Sequence, residues 1–599
     1  VAEPRPQRSS RDAPETPSDA ALLRRLWPFV RPYRWLLLAA LALNLAAVAA
    51  TLLEPYLLKL GIDEHITPAA AGDASALDGL LGLSAAYALL IAGGFAARAL
   101  GLYATSAGGL RALAALRRAV FRHVLTQAQR FFDGRTTGSL MTRTIHDADA
   151  VYESLVMSAI FIVTDVLTVV GVVVAMFLLD WRLTLASLAV APPLAWLMDL
   201  FRRRLRALHD TIREALSRFN GAFAEYVHGV DVVRLHGPAA EAEARRDLEG
   251  HAYRFLDASR RANIWDASLY ALMDGMSAVS VGAVLLLAAA PGADAFSLGL
   301  LVAFVDYLRR LYVPVRELSG RLATLQRGAS ALDRIFGLLD TQDRVRGGEA
   351  ALPHIRGEVA LEDVSFRYTP DAPLVLRGVS FRVHPGEVVA LVGATGSGKS
   401  TVARLLSAAY DGYEGRIRLD GHELRTVRPG DVRRAVATVA QDVYLFSASV
   451  FENVRMWDEA IPRPRVEEAV RLARADALVA GLPEGLEHTL ADRGKDLSAG
   501  ERQLLGIARV LCRDAPVVVL DEATATVDPE TERLLDEAMA AVFARRTVLV
   551  IAHRLSTVRR ADRVVVLHDG RVVEEGTHEA LMARGGRYRL LVEAALQEV

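Results

Sequence analysis

The chain has 599 residues, a net charge of −1, 52% hydrophobic residues and a mean hydropathy of +0.23. That length leaves room for several domains, the near-zero charge with no basic tract excludes a nucleic-acid partner, and the apolar excess is unusual for a soluble protein of this size. A single cysteine, Cys512, excludes an intrachain disulfide.

Residues 1–20, VAEPRPQRSSRDAPETPSDA, are polar and proline-rich; they are expected to be disordered and lack the apolar core of a secretory signal. The following ALLRRLWPFVRPYRW alternates basic, aromatic and apolar residues, which predicts a short helix on the cytoplasmic membrane surface; a basic flank of the first span is the competing reading. Six apolar segments come next, near residues 35–62, 80–104, 154–179, 183–201, 264–290 and 296–315. Trp35–Leu53 and Leu80–Ala97 carry no ionisable residue and can each cross a ~30 Å hydrocarbon core. The connections EHITPAAAGDASALDG and APGADAFS contain no Lys or Arg, whereas those at 105–153 and 202–263 are arginine-rich. The positive-inside rule therefore places the long connections and both termini in the cytoplasm. Helical periodicity continues into those connections, so the membrane helices are expected to extend past the bilayer.

The expected fold is thus an α-helical membrane domain of six long helices over residues 21–338, a polar linker at 339–355, and a soluble α/β domain at 356–599. In the last, β-branched runs such as VVALVG and VVVLDE alternate with helical stretches. Only three of the 70 basic residues are lysines, Lys59, Lys399 and Lys495, so a lysine that survives marks a place where arginine does not serve.

Lys399 belongs to GATGSGKST, comprising Gly393, Ala394, Thr395, Gly396, Ser397, Gly398, Lys399, Ser400 and Thr401, set between an apolar strand and a helix. That is the context of a phosphate-binding loop, in which backbone N–H groups converge on phosphate oxygens at a helix N-terminus. A compact ammonium suits the β- and γ-phosphates better than a guanidinium, and the Ser400 hydroxyl would reach Mg²⁺. Downstream, APVVVLDEATATVD ends a strand in two carboxylates. Asp521 would hold Mg²⁺, and Glu522 would orient or deprotonate the attacking water.

With these motifs in order, the chain resembles the ABC transporter superfamily, in particular exporters that fuse six helices to one nucleotide-binding domain. The resemblance implies that Tyr368, 25 residues before the loop, stacks on adenine. It implies that Gln441 senses Mg²⁺ and couples to the membrane domain, that Asp528 closes a D-loop, and that His553 contacts the γ-phosphate. FFDGRTTGSLMTRTIHDADAV and FNGAFAEYVHGVDVVRLHG resemble the family's two coupling regions. The segment DLSAGERQLLGIARVL resembles its signature, with Ala499 and Glu501 departing from the common LSGGQ. In the family the signature closes over ATP held by a second subunit, so Ser498, Ala499, Gly500, Glu501 and Asp528 would act in trans. A second half-transporter is therefore the implied partner. The altered signature beside intact catalytic residues favours a heterodimer, with a homodimer as the alternative.

The implied function is ATP-driven, Mg²⁺-dependent export of a hydrophobic or amphipathic substrate (drug, lipid or peptide) across the bacterial inner membrane. Lipid flipping, import of a metal chelate and a membrane-tethered signalling ATPase are the alternatives. Glu54, Asp165, Asp274 and Asp306 fall in or beside spans and would suit a cationic amphiphile. Against this, Asp306 and Arg310 have the spacing of a helix salt bridge, and Glu54 has an interfacial reading.

Overall fold

The structure is a computed structural model and describes residues 19–289, 296–353, 355–440, 442–491, 494–521, 528–544, 546–552 and 555–597. The chain divides into two compact units, Val1–His123 with Gly138–Thr341, and Val124–Thr137 with Gln342–Val599.

The first unit is helical. Its principal helices are α1 (Asp19–Val30), α2 (Arg34–Leu60), α3 (Leu80–Leu125), α4 (Ala159–Leu179), α5 (Ala191–His228), α6 (Val230–Leu235), α7 (Pro238–Ala288) and α8 (Leu298–Leu339). Among the described residues, five helical segments, those containing α2, α3, α4, α5 and α7, are long and apolar enough to cross a membrane. At 1.5 Å per residue, the 46 residues of α3 span about 70 Å, more than twice a bilayer core. Leu81, Leu89, Phe95 and Leu178 are strongly exposed, as side chains facing lipid are.

Two of the expected spans differ in detail. The segment 183–201 is not one helix: Trp181–Leu188 ends before α5 begins, because Pro192 and Pro193 supply no N–H and suit only a first helical turn. The segment 296–315 forms the start of the 42-residue α8, yet it carries Asp306, Arg309 and Arg310. Those charges keep it from qualifying as a span by apolarity alone.

Helix α8 is the hub of the unit. Phe304, Tyr307 and Leu308 are buried against Val172 and Met176 of α4, Leu183, and Val284 of α7. Its N-terminus is capped by Ser297, whose Oγ accepts from Leu300 N–H at 3.2 Å. Asp63 in turn accepts from Ser297 Oγ at 2.5 Å and from Gly299 N–H at 2.8 Å. Lys59 Nζ lies 3.2 Å from Asp63, which gives this lysine a structural role in holding α2 to the start of α8. Farther along, a Cβ at Gly328 would lie 1.5 Å from Ser154 Oγ, so only glycine permits that close approach. Helix α1 docks on the far end of α8: Leu22 and Leu26 are buried, and Arg25 pairs with Asp340 and covers the Phe336 ring at 4.3 Å.

The second unit holds strands β1 (Val359–Phe366), β2 (Leu376–Val383), β3 (Val388–Val392), β4 (Glu414–Leu419), β5 (His422–Glu423), β6 (Val436–Val439), β7 (Val517–Asp521), β8 (Thr547–Ile551), β9 (Arg563–His568) and β10 (Arg571–Gly576). Among the described residues these form a four-stranded sheet in the order β2-β1-β4-β5 and a six-stranded sheet in the order β10-β9-β3-β8-β7-β6. Strands β3, β6, β7 and β8 run parallel, so their C-terminal ends share one edge. β3 and β8 are buried at every position, the signature of a parallel strand covered on both faces.

Candidate functional site

The C-terminal edge of the parallel strands is where open α/β sheets present ligand sites. Residues 393–398 leave β3 and turn into α9 (Lys399–Leu406). Gly398 is the N-cap at φ +104°, and a Cβ there would lie 2.6 Å from Leu376 Cδ2. Both the backbone conformation and the crowding require glycine. Lys399 is 6% exposed, with Nζ donating to Gly393 O at 2.7 Å and Ala394 O at 3.1 Å. Burial lowers its pKa, opposed by the charge of Asp521 at the end of β7. Ser397 Oγ is buried without a hydrogen-bond partner among the described residues. A lysine folded back on loop carbonyls and a buried orphan hydroxyl fit a triphosphate. The hard oxygens of Ser400 and Asp521 fit Mg²⁺.

Tyr368 lies two residues beyond β1, and its hydroxyl is 2.9 Å from Thr401 Oγ1 and accepts from Arg404 at 3.1 Å. Gln441, Glu522 and His553 lie outside the described residues, as does the Ala523–Val527 stretch. The strands that precede Gln441, Glu522 and His553, respectively β6, β7 and β8, end on the edge that carries the phosphate loop.

The signature residues open α10 (Ala499–Arg513), an amphipathic helix that buries Leu504, Leu505, Ile507, Val510 and Leu511. Ser498 is its N-cap. Ser498 Oγ accepts from Glu501 N–H at 3.2 Å, and the Glu501 carboxylate accepts from Ser498 N–H at 2.7 Å. This is a complete capping box, a role glutamine fills as well as glutamate. Asp528 caps α11 (Pro529–Phe543), accepting from Thr531 N–H at 2.9 Å.

Sequence reasoning passed over the residues that hold the short helix Gln129–Asp133 within this same unit. Arg130 pairs with Asp343 and, at 2.7 Å, with Asp411, while the Tyr410 hydroxyl donates to Asp133. Ala128 N–H donates to Asp343 O at 2.5 Å, and Gln127 Oε1 accepts from Asp343 N–H at 2.9 Å. These partners are more than 200 residues apart, so no local pattern announces them.

The helical unit contains a cavity of about 760 Å³. Asp165, Glu54 and Asp306 line it, together with Arg98, Arg309, Arg310 and Arg321. Arg310 lies 2.6 Å from Glu54 and 3.0 Å from Asp306, and donates to Thr51 O at 3.0 Å. Arg321 lies 2.9 Å from Asp165, close enough for an ion pair but without hydrogen-bond alignment. The acids expected to await a cation are therefore already paired. Asp274 is exposed and does not line the cavity. Arg98 reaches only Thr51 Oγ1, at 3.4 Å, and Arg309 has no acidic partner among the described residues. Four arginines face three carboxylates, so the wall carries a net positive charge.

Known proteins match both units of the chain. The ABC transporter transmembrane region matches residues 37–315, and the ABC transporter family matches residues 376–525. An ATP-dependent lipid A-core flippase of Burkholderia pseudomallei is 36% identical over 590 residues, covering 97% of each chain. An uncharacterised ABC transporter ATP-binding protein of Bacillus subtilis is 32% identical, covering 98% of this chain and 96% of that one. The solved structure of a bacterial Atm1-family ABC exporter with ATP bound superposes with a TM-score of 0.74 at 27% identity, covering 94% of this chain and 98% of the other. A membrane unit and an ATP-hydrolysing unit joined in one polypeptide, matched over nearly its whole length, place the chain in the ABC transporter family, as an exporter-type half-transporter.

Proposed function

We propose that this chain is one half of a dimeric exporter that uses ATP to move an amphiphile with an anionic headgroup, phosphate or carboxylate, out of the bacterial inner membrane. The observation that carries the choice of headgroup is the cavity wall: its three acids are all engaged by Arg310 and Arg321, and Arg98 and Arg309, which pair with none of them, turn the balance to one net positive charge. The name carried by the Burkholderia relative, a lipid flippase, supports the same class. A cationic substrate would have to displace an arginine to reach any carboxylate. The positive-inside pattern supports cytoplasmic termini.

In this reading Lys399 exchanges its two carbonyl acceptors for the β- and γ-phosphates when ATP enters. Tyr368 stacks on the base. Glu522 orients and deprotonates the attacking water, with Gln441 and His553 at the γ-phosphate. Ser400, Asp521 and Gln441 would hold Mg²⁺, which neutralises charge on the phosphates. Ser498, Ala499, Gly500, Glu501 and Asp528 complete the partner's site. ATP has only to bind the closed pair more tightly than the open one to shift the population. The partner is a second half-transporter. Because glutamine would close the same capping box as Glu501, the signature change does not by itself separate a homodimer from a heterodimer.

The experiment is ATP hydrolysis in lipid nanodiscs by the purified chain, with stoichiometry from native mass spectrometry and Glu522→Gln as control. Amphiphiles of matched chain length bearing phosphate, choline or ammonium heads are compared. Stimulation by the phosphate head, lost in Arg98→Gln/Arg309→Gln, is expected. Stimulation confined to the ammonium head would overturn the proposal.

A further inference from the structure

Tyr410 and Asp411, on the loop leaving α9, grip the short helix Gln129–Asp133 from two sides. The Tyr410 hydroxyl donates to Asp133, while Asp411 accepts from Arg130 at 2.7 Å and from Arg346 N–H at 2.5 Å. Tyr410 is 4% exposed, and its ring meets the Tyr368 ring edge to face at 5.2 Å and 80°. Phe366 closes the cluster, 5.2 Å from Tyr368 and 5.9 Å from Tyr410. The far end of Tyr368 is fixed by Thr401 and Arg404, both on α9. Burial, reinforced by the bond to Asp133, pushes the Tyr410 pKa up, so its hydroxyl stays a proton donor.

We infer that Tyr410 is a positioning residue that relays occupancy of the base pocket to the segment 124–137, through the Tyr368–Tyr410 ring contact and the Tyr410–Asp133 hydrogen bond. The inference rests on Tyr368 being the base-stacking aromatic of the proposed function. A nucleobase stacked on Tyr368 fixes that ring. Tyr410 is packed with no room to tilt independently, because interiors are close-packed and transmit displacement. Its hydroxyl then carries the displacement to Asp133, and Asp411 carries any shift of the same loop to Arg130. A triphosphate whose base stacks poorly would fill the phosphate loop yet leave this contact unset.

The test uses the full chain in nanodiscs with Glu522→Gln to retain nucleotide. A spin label at Leu81, which is 87% exposed on α3, reports the distance between the two halves of the dimer. Nucleotide binding and label motion are titrated separately with ATP and with UTP. In Tyr410→Phe, which keeps the ring and loses the hydroxyl, ATP binding is expected to persist. The ATP concentration needed for label motion should rise at least about fivefold above the binding midpoint, and ATP should lose its advantage over UTP in driving motion. Asp133→Ala should do the same, and the double variant no more than either, because both remove one contact. A purely structural role would lower thermal stability without separating motion from binding. Label motion that tracks binding in both single variants overturns the relay alone, provided Tyr368→Ala has lost the preference for ATP over UTP. If Tyr368→Ala keeps that preference, the base-stacking assignment and the relay fall together.

Discussion

Arg310 offers the sharpest test of how the cavity is held. Its guanidinium is 23% exposed and lies 2.6 Å from Glu54, itself 17% exposed, and 3.0 Å from Asp306, 32% exposed. At an effective dielectric of 20, those separations correspond to gross attractions of about 6 kcal/mol each. Most of that offsets the desolvation of three charges, so the triad adds little net stability compared with an apolar replacement. Removing one member is another matter. Arg310→Met leaves two carboxylates facing each other in the membrane half and should cost about 3–5 kcal/mol. That would lower the unfolding midpoint on the order of 10 °C in nanodiscs at a fixed scan rate. The triple variant Arg310→Met/Glu54→Gln/Asp306→Asn should recover most of the loss. The cavity wall also changes sign balance: Glu54→Gln raises its net positive charge and should strengthen stimulation by a phosphate-headed amphiphile, whereas Arg310→Met should weaken it. An Arg310→Met chain as stable as the parent, or a triple variant no better than Arg310→Met, would refute the claim that these charges compensate one another.

In the nucleotide unit, Gly398→Ala places a methyl 2.6 Å from Leu376 at φ +104°; it should destabilise the unit by about 1–3 kcal/mol, read by denaturant unfolding, and weaken ATP binding measured by calorimetry. Lys399→Met should abolish measurable ATP hydrolysis while leaving far-UV circular dichroism unchanged. Arg130→Ala, which removes the pairs to Asp343 and Asp411, should uncouple ATP hydrolysis from amphiphile stimulation, and proteolysis within 124–137 should accelerate. Acid should destabilise this unit through Glu387: burial opposes its ionisation, but hydrogen bonds from Arg563 and His384 N–H hold its pKa below the usual carboxylate range. A depressed folded pKa stabilises above the unfolded value and loses that contribution as pH falls through the folded one. Thermal melts between pH 7 and pH 3 should therefore steepen below about pH 4.5, and Glu387→Gln should flatten that slope.

The nucleotide unit was legible from sequence where chemistry and spacing coincide. Glycines at positive φ, one retained lysine, and apolar strands ending in carboxylates are local patterns, and the strands β3 and β7 fall where those patterns predict. The Asp306–Arg310 pair was legible for the same reason, since four residues on a helix make neighbours. Glu54 was not, because it joins that pair across 256 residues of chain. Its charge therefore read as free for a substrate when it was already committed. The same blindness hid Tyr410, Asp133, Arg130 and Asp343, whose side chains carry no distinctive spacing. Pro192 and Pro193 were a readable break in the fourth span, outweighed in the sequence by apolar content on either side.

The hidden contacts have a common logic along α8. Asp63 caps its N-terminus, Arg310 ties it to α2, Arg321 to Asp165 of α4, Arg334 to Asp147 at 2.5 Å, and Asp340 to Arg25 of α1. Between 310, 321 and 334 the intervals are 11 and 13 residues, about 17 and 20 Å of helix, so each tie reaches a different level of the unit. A helix this polar could not stand alone in lipid, and a helix of pure leucine would not fix which neighbour it meets, since lipid tails compete equally for apolar contact. Paired charges at set heights exclude sliding, because a one-turn shift would leave several buried charges without partners. Helices α5 and α7 pack chiefly on each other, and α7 meets α8 through neutral contacts, Val284 in the shared core and the Ser280–Tyr312 hydroxyl pair at 2.7 Å, rather than through paired charges among the described residues. Movement within the membrane half is therefore cheapest between the α5–α7 pair and the group bound to α8. Disulfide-trapping of α5 or α7 against α8 should block nucleotide-driven motion, while cross-links between α2 and α8 should leave it intact.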